Sequence, residues 1–355
     1  MSERNLLQEP CWQGSDLGHP LPDHPHAVSM ALPRWRDVIA YEEHEPACRS
    51  ALQTIYPRFG LHPFLQELAS QVNSEGIGVW PFASRAAAQA ALLHCQRKSP
   101  QSTLRLVDQQ KISCLCTDAA ANIHAKAFWQ HTGLGASSRQ AAIALGHELA
   151  PAPNQGEQAR QRVRQRLAAI HHCPEEHISL VPAGMAALHA GLEAVQTLRP
   201  GRPTLQLGFP YVDVLKQPQV VFHGSELLRS TDLGDIVATL DRLDPAAVIV
   251  ELPSNPLLRC VDLRAVAELV HARGIPLIAD DTIGTGINLE ALPYADLVFT
   301  SLTKSFAGRG DVMAGCLLIS PYSQWTSTLL EAVAPRASLS DADAIALERN
   351  SRDVN

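Results

Sequence analysis

The sequence predicts an α/β protein built on a mostly parallel, doubly wound sheet. Three observations lead there. From about residue 160, short apolar runs alternate with stretches of helical period. Several runs, such as Ala247–Leu252, Pro276–Ala279 and Asp296–Thr300, are nearly apolar throughout, as strands covered on both faces must be. Asn255, Asp280 and Lys304 fall at or just beyond the carboxyl ends of such runs, where open α/β sheets bind ligands.

Taken in order, residues 1–45 read as irregular, with Pro20, Pro22 and Pro25 keeping the chain extended. Residues 46–125 mix helix-like and strand-like segments. Ala86–Cys95, alanine-rich and free of Gly and Pro, reads as a helix with Ser84 as a candidate N-cap. A Gly/Ser loop spans Thr132–Arg139, and Pro151–Gly156 reads as a linker-like break. Gln158–His171 follows as a charged helix and Ile178–Val181 as a strand. Gly184–Leu198 reads as a helix with Leu188, Leu192 and Val195 on one face. Thr204–Leu207 and Gln219–Phe222 read as strands. Asp232 caps a helix carrying Leu233, Ile236, Val237 and Leu240. Leu263–Arg273 is amphipathic and closed by Gly274, and Cys316–Ile319 is a last buried strand. The expected division is 1–125 as an N-terminal α+β extension, 126–340 as the major domain, and 341–355 as the start of a C-terminal domain.

Composition narrows the function classes. With 355 residues, 46% of them hydrophobic, the chain can bury a large core. A formal net charge of −7 argues against nucleic-acid binding. No run is long and apolar enough to span a bilayer, and the N-terminus lacks the features of a signal or transit peptide. A cytoplasmic location is the expectation. The eight cysteines are scattered, and Cys114-Leu-Cys116 with His124 has the wrong spacing for a zinc site. No metal is expected.

Four stretches suit one anionic aromatic cofactor, pyridoxal 5′-phosphate (PLP). In Val181-Pro-Ala-Gly184-Met185 a strand turns through glycine into a helix, whose free N–H groups favour phosphate. Taken alone, a packing turn explains it better. Asn255, within Glu251-Leu-Pro-Ser-Asn-Pro256, could donate to a phenolate oxygen, although a plain Asn-Pro turn fits as well. Asp280 against a pyridine nitrogen would keep it protonated; with Asp281 and Thr282 alongside, a magnesium site and a helix cap are the competing readings. In Ser301-Leu-Thr303-Lys304, an extended segment would place both hydroxyls on one side, for a phosphate, beside an amine able to form a Schiff base.

Together these motifs resemble the Cys/Met-metabolism PLP-dependent enzymes of fold-type I. The resemblance rests on Ser-x-Thr-Lys304 followed by Gly308-Arg-Gly-Asp311-Val-Met-Ala-Gly315, on Glu251-Leu-Pro-Ser-Asn-Pro-Leu-Leu-Arg259 and on Gly184-Met185. Pro57-Arg58-Phe59 and Trp129-Gln-His131-Thr-Gly133 are similar to the long extension of fungal-type cystathionine gamma-synthases. The resemblance implies that Lys304 is the Schiff-base lysine and Asp280 the partner of the ring nitrogen. It implies phosphate contacts from Gly184, Met185, Ser301 and Thr303. It also implies that Thr282 is a cofactor-binding residue, that Tyr211 stacks on the ring, that Asn255 reaches the ring hydroxyl, and that Arg139 falls near the arginine lent to a neighbouring subunit's phosphate.

The family's Asp-Asn-Thr stands here as Asp280-Asp281-Thr282. Its Tyr-x-Arg clamp stands as Ser137-Ser138-Arg139, and no Gly-Gly follows Tyr211. Relatives continue for a C-terminal domain whose arginine grips the substrate carboxylate, and Arg352 is too near Lys304 in sequence to be assumed its substitute. The activity implied is replacement at the gamma carbon of an activated homoserine ester by cysteine, giving cystathionine. The alternatives are a gamma-lyase, or a PLP-binding subunit weakly active without a further chain. Amino-acid substrates, a homodimer or homotetramer, and a separate C-terminal chain are the partners it implies.

Overall fold

A strand covered on both faces has no solvent side on which to place polar residues, and the central strands obey this closely. In the computed structural model, which describes residues 5, 8–72 and 78–354, twelve strands form three sheets. They are β1 (Pro20–Leu21), β2 (Ser29–Met30), β3 (Val79–Phe82), β4 (Leu104–Gln109), β5 (Ile112–Thr117), β6 (Ile178–Val181), β7 (Thr204–Leu207), β8 (Ser225–Leu228), β9 (Val248–Glu251), β10 (Leu277–Asp280), β11 (Leu297–Thr300) and β12 (Gly315–Ile319). The main sheet has seven strands in the order β6-β12-β11-β10-β9-β7-β8. Strands β11, β10, β9, β7 and β8 run parallel, and β12 lies antiparallel to both neighbours. The predicted doubly wound α/β architecture is the observed one.

Alternation along each strand sorts side chains between the two faces. Val248, Val250, Leu277, Ala279 and Val298 pack on one side with Leu167, Ile236 and Val266 from its helices. Ile249, Ile278, Leu297 and Phe299 pack on the other with Leu188 and Leu192. The helix Gly184–Leu198 runs through this second layer and is buried along most of its length. Phe82, Leu115 and Phe128 of the N-terminal part join the same cluster, so the extension shares a core with the main sheet.

The N-terminal part is built on the antiparallel sheet β3-β5-β4. Helices Arg85–Lys98 and Ala119–Thr132 cover it, their buried Ala87, Ala88, Ala91, Ala121 and Ala125 permitting close approach. Ser84 caps the first of these, its Oγ accepting from the Ala87 N–H at 3.1 Å. The last helix, Asp341–Asn350, lies on Gln155–His171, held by Arg166 to Glu348 at 2.7 Å.

Two elements differ from expectation. Gln219–Phe222 is not a strand: it closes the helix Val212–Val221, and the strand comes later, as β8. Its β-branched residues suggested extended chain, but Val214 and Gln217, one turn apart, anchor a helix on the core. Within the stretch expected to be irregular, Trp35–Glu42 is a helix. Among the described residues, no helix is long and apolar enough to cross a membrane, and no cluster of His, Cys, Asp or Glu is arranged to hold a metal.

Candidate active site

The carboxyl ends of β9, β10 and β11 open onto a cleft of about 670 Å³. Its floor carries Glu251, Asp280 and Ser301, and the first turn of Gly184–Leu198 enters from one side. Ala183, the N-cap of that helix, supplies no side-chain acceptor. The opposite wall comes from the N-terminal segment, through Met30, Tyr41, Tyr56 and Phe59. Lys304 extends into the cleft from the turn after β11 and is exposed to it.

The Lys304 amine donates to the Tyr56 hydroxyl at 3.2 Å and stands 4.7 Å from its ring centre. Next along the chain is buried Arg58. Its guanidinium donates to Asp213 and, at 3.1 Å, to the Tyr211 hydroxyl. His131 holds the other Asp213 oxygen at 2.9 Å. Burial alone would raise the Tyr56 phenol, but Lys304 and Arg58 together bring it below its ordinary value. Tyr211 lacks that excess of positive neighbours; burial drives it up to about 12, Arg58 opposing and Asp213 assisting.

The acids on the floor stand in the opposite electrostatic condition. Glu251 and Asp280 are register partners on neighbouring strands. Burial, then the charge of Asp280, pushes Glu251 up to about 8. Burial takes Asp280 to about 6 despite its bond from the Thr282 N–H at 3.0 Å. Among the described residues no cation offsets either carboxyl. Asp281 is wholly buried and pushed to about 7; the Thr300 hydroxyl satisfies one oxygen and nothing satisfies the other. Its nearest ring, His171 at 3.9 Å, is driven down to about 4 by burial and is neutral near pH 7.

Of the residues singled out in the sequence, Gly184, Met185, Tyr211, Asn255, Asp280, Thr282, Ser301 and Lys304 line this one cleft. Thr303 and Arg139 do not. The segment after β11 is a turn rather than extended chain, so Ser301 and Thr303 do not share a side. Thr303 is buried, its hydroxyl accepting from the Ala314 N–H at 3.0 Å, which ties the turn to the edge of β12. Arg139 is also buried. It donates to the Asp311 carbonyl at 2.6 Å and pairs with the carboxylates of Asp311 and Asp343. The arrangement braces the Gly308–Gly315 loop against the last helix. Arg352 is spent on Glu348, at 2.8 Å.

Tyr56, Arg58 and Glu251 are cleft residues that sequence reasoning passed over as site members. The tyrosine-x-arginine pair that reaches the cleft is Tyr56-Pro57-Arg58, not the segment ending at Arg139. Its spelling was the available signal.

A sequence profile of the Cys/Met metabolism PLP-dependent enzyme family matches residues 154–347. The chain belongs to this family. Among curated relatives, an L-2-amino-4-chloropent-4-enoate dechlorinase/desaturase from Streptantibioticus cattleyicolor is 31% identical, over 88% of this chain and 66% of its own length. Cystathionine gamma-synthase from Neurospora crassa is 27% identical, over 95% of this chain and 77% of its own. A crystal structure of cystathionine gamma-synthase from Xanthomonas oryzae aligns at 26% identity and a TM-score of 0.48, over 58% of this chain and 53% of that one. The chain thus spans about two thirds to three quarters of these two curated relatives and about half of the solved structure.

The family is PLP-dependent, and the cleft of this member fits that cofactor on its own terms. Two buried carboxyls without a cation call for a positive group such as a protonated ring nitrogen. A helix N-terminus without a side-chain cap offers N–H groups to phosphate. At Gly184 a Cβ would lie 3.0 Å from the Ser301 Cα, tight enough that Ser301 would have to give by a few tenths of an ångström, so glycine eases the close approach of the helix start.

Proposed function

We propose that this chain binds PLP in the cleft and acts on an amino acid bearing a leaving group on its gamma carbon. In the full reading, cysteine sulfur replaces that group on an activated homoserine ester, giving cystathionine. The observation that carries the reading is an amine without an acid partner among the described residues, Lys304, in one cleft with the Asp280 carboxyl, which has no cation beside it. Residues 126–340 form the cofactor-binding body in this proposal, and residues 1–125 an extension supplying one wall. Assembly as a homodimer or homotetramer belongs to the same proposal.

Each role follows from what the side chain can do where it stands. Gly184, Met185 and Ser301 would hold the phosphate, Asp280 the ring nitrogen, and Asn255 the ring hydroxyl. Tyr211 would lie against the ring, its hydroxyl fixed by Arg58. Bound there, PLP supplies an electron sink for charge developing on the substrate's alpha carbon. Lys304 would carry protons between neighbouring substrate carbons, with Tyr56 within 3.2 Å to share its proton. The names of the two curated relatives support chemistry at the gamma carbon, since a 4-chloro substituent sits on that carbon and the other name specifies a gamma-synthase.

A second reading has its own observation. The cations lining the cleft are Lys304 and Arg58, and Arg58 is committed to Asp213. Among the described residues, those lining the cleft therefore offer no free guanidinium for the substrate carboxylate, which favours a PLP-binding chain that turns over weakly without a partner chain. The experiment is to incubate purified protein with PLP, trap with borohydride, and assay an acyl-homoserine with and without cysteine. Colour, trapping and cystathionine support the full reading; keto acid and ammonia indicate the gamma-lyase. Colour and trapping without turnover support the second reading. Replacing Lys304 with alanine should abolish trapping and lower any turnover by about a thousandfold or more; retention of both would overturn the assignment.

A further inference from the structure

Glu251 ends β9 with its carboxyl almost completely buried, 8% exposed, and no cation beside it. Its two oxygens are nevertheless both engaged. One accepts the backbone N–H of Tyr211 at 2.7 Å, and the other the backbone N–H of Asn255 at 3.2 Å. Tyr211 begins the helix after β7, and Asn255 lies in the turn after β9. The two donors thus come from separate loops, one from each of two adjacent strands.

We infer that Glu251 is a positioning residue, holding Tyr211 and Asn255 in place around the cleft by gripping the backbone of each. The inference rests on the PLP reading only for what those two residues then contact. Tyr211 is thereby held at both ends, at its backbone by Glu251 and at its hydroxyl by Arg58. Both anchors of the ring thus come from within the chain. A carboxyl group suits this task, because each of its two oxygens can accept an N–H. Glutamine has the same length but turns an NH₂ group toward one of the two N–H donors. Aspartate keeps both acceptors but withdraws them by one methylene.

The test has one readout that needs no PLP and one that does. In cofactor-free protein, hydrogen exchange should show the Tyr211 and Asn255 amides protected, and Glu251→Gln should speed exchange at one or both by about tenfold while distant strands stay unchanged. Unchanged exchange there overturns the inference whatever PLP does. Titration of the same proteins with PLP should show affinity about tenfold weaker in E251Q, with a smaller visible circular dichroism signal from the bound ring. In a Tyr211→Ala, Asn255→Ala background, E251Q should cost less than about twofold, because its action runs through those two side chains. An equal loss in both backgrounds overturns the inference. Should E251Q lose its melting transition, Glu251→Asp replaces it, with the same expected directions and the same overturning result. Wild-type protein that binds no PLP would refute the proposed function, while the exchange experiment would still decide the role of Glu251.

Discussion

The molecule treats its buried acids in two different ways. Away from the cleft floor several are answered by cations. Asp213 has Arg58 and His131, Asp311 and Asp343 share Arg139, and Glu348 is ringed by Arg162, Arg166 and Arg352. The bond from Arg352, assisted by Arg166, brings Glu348 down to about 2, and His131 and Arg58 outweigh burial to lower Asp213. On the floor, Glu251 and Asp280 move the other way, to about 8 and 6, and so does Asp281, next to Asp280 in the chain but buried outside the cleft lining, to about 7. Buried carboxyls are expensive without partners. A chain that answers buried acids with cations in several other places and leaves these three, among the described residues, with hydrogen bonds but no cation has kept this end of the sheet for something else.

If the contrast is real, removing a floor acid should harm chemistry and spare the fold, while unpairing one of the other acids should harm the fold. Asp280→Asn is the sharpest case. Turnover should fall by about a thousandfold, since an amide cannot hold the ring nitrogen's proton, while urea unfolding of the cofactor-free protein shows no loss of stability. A large loss of stability without loss of turnover would dissolve the distinction. Arg58→Met tests the opposite side. Asp213 would be left buried with His131 alone, and unfolding free energy should drop by roughly 3–5 kcal/mol. A drop below about 1 kcal/mol would show that this pair is not needed.

The third case is read as a function of pH. Asp281 titrates near 7 in the fold, above its ordinary 3.8. Below about pH 4 it is protonated in folded and unfolded chains alike and costs nothing. Between about 4 and 7 the unfolded chain sheds a proton that the fold retains, so stability falls as pH rises, and above 7 the cost is complete. Asp281→Asn keeps the shape and cannot ionise. Its advantage over wild type should grow from nothing near pH 4 to roughly 2–4 kcal/mol above pH 7, read from thermal or urea unfolding at each pH. A constant difference across that range would place the source of the effect outside this titration.

The sequence disclosed the main sheet more readily than the walls of the cleft, for a physical reason. Thr204–Leu207, Ile178–Val181 and Gly184–Leu198 were legible to the residue, because apolar runs bounded by glycine or proline carry their own boundaries. Asp280 and Lys304 were legible because strand ends are where such sheets bind ligands. Tyr56 and Arg58 were not. Each is a single polar residue in an irregular stretch, and its partners Lys304, Asp213 and Tyr211 lie 248, 155 and 153 positions away. No local pattern announces contacts of that span. Thr303 misled for a smaller reason: two-residue alternation holds only in extended chain, and the backbone had already turned.

The segment from Tyr56 to Phe59 also bears on where this protein can be cut. Its profile match begins at residue 154, and a fragment starting there would retain Lys304, Asp280 and the entire seven-stranded sheet. It would also leave Asp213 without Arg58 and His131, remove the wall facing Lys304, and bare the part of the core shared with Phe82, Leu115 and Phe128. The smallest working unit is therefore larger than the region that identifies it, and a graft or chimera drawn at the boundary of recognisable sequence would carry the floor of the cleft away from one of its sides.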